Sequence, residues 1–299
     1  MMTQVFITGA SGLLGSQLVQ TFKNQGYEVL AIFHQNPELI GSDINKIQCD
    51  ISSEEAALSL KEYIKFPSLI VHCAAITNVD LCEKDKELCK AINIDGTKNI
   101  CELARQTKSR LIYISTSSVF DGREGNYKES DKTNPINYYN FSKVQGENHI
   151  LEYEKGLVVR TTPLGIHFKG RKPASFLEWL VDSFKNNLNI NLFTDAKINP
   201  LTTATLSAII ANISSLLESG VIHLGSRDVV SKAAIGLEVK KLFPLYSGSL
   251  SLVGMDSNNL VTERPKEMWL NVDKALSLGL DLPETLSDIN AYLNGKKLL

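Results

Sequence analysis

The segment VFITGASGLLGSQLVQTF, residues 5–22, joins a short apolar run to an amphipathic stretch through glycines spaced three residues apart. The apolar run predicts a strand and the amphipathic stretch predicts a helix. Glycines between them allow a tight turn and close approach of the backbone to a pyrophosphate, whose charge the helix N-terminus attracts. This placement favours dinucleotide binding over a purely structural turn. The predicted contacts are Gly9, Ser11, Gly12, Leu13, Leu14 and Gly15.

Strand-like and helix-like stretches continue to alternate through the first half of the chain. The later predicted strands are EVLAIF, SLIVHCA, RLIYIS and GLVVR. The predicted helices cover residues 13–24, a stretch after Ser52 or Ser53, 81–106 and 135–153. This βαβ succession predicts an α/β fold with a Rossmann-type, doubly wound parallel sheet.

The regularity fades beyond about residue 163. We therefore predict a dinucleotide-binding domain over residues 1–163, completed by a return segment near 196–228. Residues 164–299 are predicted to form a smaller C-terminal α/β substrate lobe, which has a helix near 176–185.

Composition limits the classes of partner. The 299 residues are 43% hydrophobic and carry a formal net charge of −2, so no broad positive field is present to hold nucleic acid or an anionic membrane. No apolar run approaches the roughly 20 residues of a membrane helix, and no leader pattern is seen, so a soluble cytoplasmic protein is expected. The five cysteines lack CxxC spacing, which favours reduced, buried thiols over a metal site.

The end of the second predicted strand bears on the choice of cofactor. EVLAIF is followed by His34 and Gln35, where an NAD-preferring site usually offers a carboxylate to the ribose hydroxyls. This composition favours NADP, with NAD still open. His34 is either a contact to the 2′-phosphate or a solvated loop residue. Asp50 and Ile51 either line the adenine pocket or form an ordinary turn.

The segment NYYNFSK, residues 137–143, places Tyr139 four residues before Lys143. The same spacing joins Tyr292 to Lys296 in a glycine-containing tail, so spacing alone decides nothing. Upstream of Tyr139, however, RLIYISTSSVFDG ends a buried strand in four hydroxyl residues, where a parallel sheet opens into its ligand crevice. Residues four apart share a helix face, so Tyr139 and Lys143 are the predicted catalytic pair, with Tyr138 turned away as a packing or rim residue.

This pair suits the reduction of a ketone. Hydride transfer needs a proton at the developing alkoxide, and an unperturbed phenol, with a pKa of about 10, exchanges it poorly at neutral pH. We expect the Lys143 ammonium to lower the pKa of Tyr139 and to hold the ribose hydroxyls of the cofactor. Thr116 is predicted to hydrogen-bond the reacting oxygen.

Several further motifs occur in a recognisable order: HCAAITNVDLCEKD, AINIDGTKNI, STSSVFDGREGNYKESDKTNPINYYNFSKVQGE, VVRTTPLG and ERPKEMWLNVDKALSLGLDLPETL. Together with TGASGLLG, they make the chain resemble the extended short-chain dehydrogenase/reductase family, and within it the dTDP-4-dehydrorhamnose reductase group. The resemblance implies that Tyr139 is the acid/base, that Lys143 holds the cofactor, and that Thr116 contacts the substrate oxygen.

The resemblance implies further contacts. Asn93 matches an asparagine that supports the active site and is assigned to the cofactor region, beside Ala74 and Ala75. Arg160 either begins the segment that passes the nicotinamide or forms a salt bridge at a strand end. The substrate-binding residues implied are Thr77, Val79, Thr116, Ser117 and Ser118.

The chain departs from the group at its substrate side. Ser117 and Ser118 stand where the group commonly has Asp-Tyr, and Pro163 stands where a tryptophan often follows Arg-Thr. These changes predict a wider or differently connected pocket. The leading hypothesis is an NADP-dependent reductase of a nucleotide sugar, acting as a homodimer. The alternatives are an NAD-dependent nucleotide-sugar epimerase and a non-catalytic subunit that resembles the regulatory subunit of methionine adenosyltransferase.

Overall fold

A computed structural model describes residues 4–167, 175–257 and 261–296. Its strands are β1 (Gln4–Thr8), β2 (Glu28–Phe33), β3 (Asn45–Gln48), β4 (Leu69–His72), β5 (Arg110–Thr116), β6 (Gly156–Thr161), β7 (Pro163–Leu164), β8 (Ile190–Phe193), β9 (Lys197–Ile198), β10 (Leu201–Thr202), β11 (Gly220–Leu224), β12 (Val230–Ser231) and β13 (Leu250–Val253). Its α-helices are α1 (Leu13–Asn24), α2 (Glu54–Ser59), α3 (Val79–Lys84), α4 (Lys86–Cys89), α5 (Gly96–Gln106), α6 (Tyr138–Leu151), α7 (Phe176–Lys185), α8 (Thr203–Ile213), α9 (Lys232–Lys240), α10 (Asp273–Ser277) and α11 (Thr285–Gly295).

The central sheet has seven parallel strands in the order β11-β6-β5-β4-β1-β2-β3. The order reverses at β1, as in a doubly wound fold, so the predicted Rossmann-type sheet is confirmed. Apolar side chains of α1 and α8 pack on one face of the sheet. Those of α2, α5 and α6 pack on the other. Both faces are therefore buried, which explains the continuous apolar runs of the strands.

The later part of the chain builds a second core. Helices α7, α9 and α11 pack with the parallel pair β8 and β13, and Leu180, Phe184, Leu192 and Ile235 are among their buried side chains. The chain first returns to the main sheet through β11, which lies inside the segment 196–228. The domain boundary at residue 163 stays a prediction. Within the described residues, no helix has the length and apolar character needed to span a bilayer.

The single long helix predicted over residues 81–106 is wrong. Asp85 breaks it with φ −127° and ψ 80°, and the Asp85 side chain accepts a hydrogen bond from the Leu88 N–H at 3.0 Å, which starts α4. A π-helical turn, Lys90–Asp95, then leads into α5. Cys82 and Cys89 consequently lie on two different helices. The cysteines are free, and all but Cys73 are buried.

Candidate active site

Three neighbouring strands bring the predicted site residues to one edge of the sheet. Thr8 at the end of β1 pairs with His72 at the end of β4, and His72 pairs with Tyr113 in β5. Because these strands are parallel, the segments that follow them meet at their carboxyl ends, where open α/β sheets bind ligands. Those segments carry the glycine turn and the Ala74 and Ala75 pair, and Thr116 is the last residue of β5.

The glycine turn has the shape that a pyrophosphate needs. Gly9 has φ +64°, and a Cβ there would lie 2.7 Å from the Ala74 backbone nitrogen. A Cβ on Gly15 would lie 2.2 Å from the Gly9 carbonyl oxygen. Helix α1 starts after Gly12 with no side-chain cap and no acidic residue in its first turn, so its first N–H groups are open to an anion. Because Leu14 packs into the core, only its backbone faces this turn.

Some of the residues predicted to contact the adenine side of the cofactor form hydrogen bonds within the protein. The Ser11 hydroxyl donates to the Gln35 carbonyl at 2.9 Å, which ties the turn to the end of β2. Asp50 Oδ1 accepts from the Ser52 hydroxyl at 2.7 Å and from the Ser52 N–H at 3.0 Å. The Ser52 hydroxyl bond is the main cause of a lowered Asp50 pKa. These bonds agree with the turn interpretation of Asp50, and its contact with the adenine stays a prediction. Ile51 is buried, while His34 is exposed.

Tyr139 lies in the first turn of α6, directly beside the end of β5. The Asn137 side chain caps this helix by accepting from the Asn140 N–H at 2.9 Å. Burial raises the pKa of Tyr139 well above that of a free phenol, Cys82 adds to this effect, and Thr116 acts in the opposite direction. The expected lowering of this pKa is therefore wrong for the chain itself. At neutral pH the phenol carries its proton.

Lys143 lies one turn after Tyr139 and is only 3% exposed. Its ammonium donates to the Ile114 carbonyl at 2.8 Å and lies 4.0 Å from the centroid of the Tyr113 ring. Burial lowers the pKa of Lys143 to about 8, and Glu147 acts in the opposite direction. Tyr139 and Lys143 thus share one helix face at the inner edge of the crevice, but Lys143 bonds the backbone of β5 instead of the phenol.

Tyr138 points elsewhere. Its N–H donates to Glu83 Oε2 at 2.9 Å, and its ring lies 5.6 Å from the Phe141 ring. Lys86 Nζ lies 5.5 Å from the centroid of the same ring. Tyr138 therefore packs against α3 and α4, as predicted for a packing or rim residue. Tyr292 belongs to α11 and is buried in the second core, where its hydroxyl accepts from the Ile166 N–H at 3.0 Å.

Comparisons with known proteins identify the family of the chain. The family model described as the RmlD substrate binding domain matches residues 2–297. The chain belongs to this RmlD family. It is 28% identical to a probable low-salt glycan biosynthesis reductase of Haloferax volcanii over 96% of each chain.

Two further comparisons concern the regulatory-subunit and the reductase hypotheses. The chain is 26% identical to methionine adenosyltransferase 2 subunit beta of Danio rerio, over 94% of this chain and 87% of the relative. A crystal structure of dTDP-4-dehydrorhamnose reductase from Bacillus anthracis in complex with NADP has a TM-score of 0.83 and 25% identity, and the match covers 99% and 100% of the two chains.

Asn93 forms hydrogen bonds to two segments that border the candidate site of this RmlD-family chain. Its Oδ1 accepts from the Ile76 N–H at 2.8 Å, and its Nδ2 lies 3.0 Å from the Ile76 carbonyl oxygen and 2.9 Å from Ser142 Oγ. These bonds join the segment after β4 to α6. The amide is committed within the protein, which suits the supporting role implied by the resemblance. A direct contact with the cofactor stays a prediction.

A buried ion pair extends the helix face of Lys143. The Arg160 guanidinium donates to Glu147 at 2.7 Å from Nη2 and 3.0 Å from Nε, and the Ser115 hydroxyl also donates to Glu147. The side chains of Arg160 and Glu147 are 5% and 2% exposed. Of the two interpretations of Arg160, the structure shows the salt bridge. Glu147 was not predicted, although its position four residues after Lys143 marks it as the next residue on the same face.

The predicted substrate residues of this RmlD-family chain belong to two segments, one after β4 and one at the end of β5. The hydroxyls of Ser117 and Thr162 are 2.7 Å apart, and the Ser118 hydroxyl donates to Met268 Sδ at 3.3 Å. Thr77 is exposed, and Val79 begins α3. Ser118 therefore borders a segment of the later half of the chain. Across the described part, no group of three or more His, Cys, Asp or Glu residues is arranged to hold a metal ion.

Proposed function

We propose that the protein reduces the keto group of a nucleotide sugar with NADPH, and that Tyr139 donates the proton. The observation that carries this proposal is the position of Tyr139 one turn before the buried Lys143 on α6, whose ammonium bonds β5 two residues before Thr116. Membership of a family with named reductases makes the chain an NAD(P)-dependent oxidoreductase. No carboxylate occurs between the end of β2 and Glu38, which supports NADP over NAD as the cofactor.

Different residues of the site carry out different parts of this reaction. NADPH, when bound, supplies the hydride to the carbonyl carbon. The glycine turn and the first N–H groups of α1 hold the pyrophosphate, and Lys143 is placed to hold a ribose hydroxyl. Thr116 donates a hydrogen bond to the substrate oxygen, and Tyr139 transfers its phenol proton to that oxygen as negative charge develops. The product is the secondary alcohol, and the phenolate recovers its proton from solvent.

A panel of keto-deoxy nucleotide sugars tests this function. We expect the purified protein to consume NADPH, followed by its near-ultraviolet absorbance, with at least one member and to use NADH more slowly. The panel needs dTDP-, UDP- and GDP-linked sugars, because Ser117, Ser118 and Pro163 change the substrate side. Measurable NADPH binding without consumption on any member would count against turnover.

The reduction is expected to depend on pH through Lys143. Its pKa is lowered to about 8, mainly by burial. The ammonium form, which holds the cofactor, therefore predominates below about pH 8 and is lost above it. We expect kcat/KM for the keto sugar, with NADPH below saturation, to fall as pH rises through about 8. A value of kcat/KM unchanged up to pH 10, near the usual lysine range, would contradict this assignment.

The relative in Danio rerio supports a second candidate, a regulatory subunit of a larger enzyme. Co-purification with a methionine adenosyltransferase catalytic subunit, together with no turnover on the panel, would favour it. An epimerase would instead retain NAD through purification, which an ultraviolet spectrum detects.

A homodimer and a cytoplasmic location stay predictions, and light scattering tests the dimer by its mass.

A further inference from the structure

The ring of Tyr113 lies under the ammonium of Lys143. Tyr113 is the fourth residue of β5 and is fully buried, and Lys143 Nζ lies over its ring, 4.0 Å from the centroid. The face of an aromatic ring carries partial negative charge, so it attracts a cation, and the attraction grows where water is excluded. The Tyr113 ring therefore favours the charged form of Lys143 in a place that desolvation makes costly for an ammonium.

The contact also restricts the orientation of the ammonium. A lysine has three N–H donors. One donates to the Ile114 carbonyl at 2.8 Å, and the face of the Tyr113 ring occupies a second direction. One donor of Lys143 is then left for a ribose hydroxyl of the cofactor. Two consecutive residues of β5 thus hold the ammonium, one through its backbone and one through its ring.

Gly146 provides the space that this ring needs. It lies inside α6, where glycine is less favourable for the helix than alanine. A Cβ there would lie 2.3 Å from Tyr113 Oη and 2.9 Å from Tyr113 Cζ. Any larger residue at position 146 would force the ring to move. The glycine therefore allows the helix turn that follows Lys143 to approach the ring closely.

The imidazole of His72 supports the ring without adding a positive charge. His72 pairs with Tyr113 across β4 and β5, and the two ring centroids are 5.5 Å apart with an interplanar angle of 26°. His72 Nδ1 lies 2.6 Å from Thr8 Oγ1, and Nε2 lies 3.0 Å from Thr97 Oγ1. Burial lowers the pKa of His72 to about 3, and Lys143 adds to this effect, so the imidazole is neutral at physiological pH.

Other ionisable groups act on Lys143 from neighbouring elements. The Glu147 carboxylate, one turn later on α6, raises the pKa of Lys143, and so do the thiols of Cys73, after β4, and Cys89, at the end of α4. Tyr139, one turn earlier on α6, keeps its proton at neutral pH. Burial outweighs the three groups that raise the pKa of Lys143, which is lowered to about 8. Each contact that favours the ammonium therefore matters near neutral pH.

We propose that Tyr113 is a positioning residue that keeps Lys143 charged and directs one of its N–H donors to the cofactor. This inference rests on the proposed function for the role of Lys143 toward NADPH. Tyr113 is buried within the sheet and acts through Lys143. The effect requires an aromatic face at position 113, and an apolar side chain of similar size does not supply it.

Fluorination of the ring tests the contact while largely keeping the size of the side chain. Phenylalanine and pentafluorophenylalanine are introduced in turn at position 113, because fluorine withdraws negative charge from the ring face. The ionisation of Lys143 is followed by nuclear magnetic resonance of protein labelled with carbon-13 at the lysine Cε atoms, and Lys143→Met identifies the signal. We expect Tyr113→Phe to keep the pKa of Lys143 close to its original value. The fluorinated ring should lower that pKa by about one or more, at least a tenfold change in the ionisation equilibrium.

The NADP affinity of the same proteins provides a second measurement. Calorimetric titrations across the pH range around the pKa of Lys143 should show the affinity falling at lower pH with the fluorinated ring than with phenylalanine. The carboxylate and thiols that act on Lys143 are identical in the two proteins, so the difference reports the ring. A difluorinated ring replaces the pentafluorinated one if the latter protein does not fold, and it should give a smaller change in the same direction.

Tyr153 is the matched control. It is buried in the same apolar cluster as Tyr113, and its ring also lies near a cation, with Arg105 Cζ 5.9 Å from the centroid. Phenylalanine and its fluorinated form at position 153 should give the same pKa for Lys143.

Three outcomes would overturn the proposals. Equal Lys143 pKa values for phenylalanine and the fluorinated ring at position 113 would overturn the role of Tyr113. A lowered pKa with an unchanged pH dependence of NADP affinity would overturn its positioning role toward the cofactor. A lowered pKa and the expected change in NADP affinity, without consumption of NADPH on the sugar panel, would overturn the proposed reduction and leave the role of Tyr113 standing.

Discussion

Replacing Tyr139 by phenylalanine is expected to lower the rate of keto-sugar reduction about a hundredfold to ten-thousandfold, the usual contribution of a positioned proton donor. Burial raises the pKa of the phenol, so it carries the proton that the developing alkoxide needs. Removing one hydroxyl keeps the ring and its packing. NADPH affinity, measured by fluorescence titration, should therefore change little while kcat falls.

Tyr138→Phe makes the same chemical change one residue away. The Tyr138 ring packs near Phe141 and Lys86, outside the face that carries Lys143. Its substitution should leave kcat close to the unmodified value. Equal losses in the two variants, or an active Tyr139→Phe protein, would show that the proton comes from another group.

The fold could be predicted because its determinants are local in sequence. The glycine spacing and the alternation of strand and helix patterns specify a doubly wound parallel sheet. The long helix over residues 81–106 was predicted wrongly because hydrophobic periodicity continues through the break. The break depends on the Asp85 side chain, which caps a new helix, and on the π-helical turn that brings Asn93 to Ile76 and Ser142.

The sequence could relate candidate site residues to one another only where they are neighbours in sequence or share a motif. Tyr139 and Lys143 lie on one helix face, so their relation is visible in the spacing. Glu147 and Arg160 belong to different elements, α6 and β6, and their ion pair depends on the packing of those elements. The direction of the Tyr139 pKa shift depends on burial, and spacing carries no information about the depth of a side chain in the fold.

Arg160→Leu is expected to lower the free energy of unfolding by about 3–5 kcal/mol, because it leaves the Glu147 carboxylate buried without its cation. That carboxylate is 2% exposed, and two nitrogens of Arg160 donate to it. Ser115 alone cannot replace these charge-assisted bonds. Urea denaturation at neutral pH, monitored by circular dichroism, measures the change. Adding Glu147→Leu to this variant should recover part of the loss, since the uncompensated charge is then removed.

Arg123→Leu provides the matched comparison. Arg123 also pairs with a carboxylate, Asp121, at 3.6 Å, but its side chain is 82% exposed. Exposed pairs are screened by water, so its loss should stay below about 1 kcal/mol. If the two leucine variants lose similar stability, the buried pair contributes no more than a surface pair. In that case Glu147 must find another partner when Arg160 is removed. The nearest candidate on α6 is the Lys143 ammonium, four residues earlier on the same helix face, because Glu147 already raises the pKa of Lys143. That outcome would move the pH dependence of kcat/KM upward in Arg160→Leu, because a freed carboxylate stabilises the charged form of Lys143.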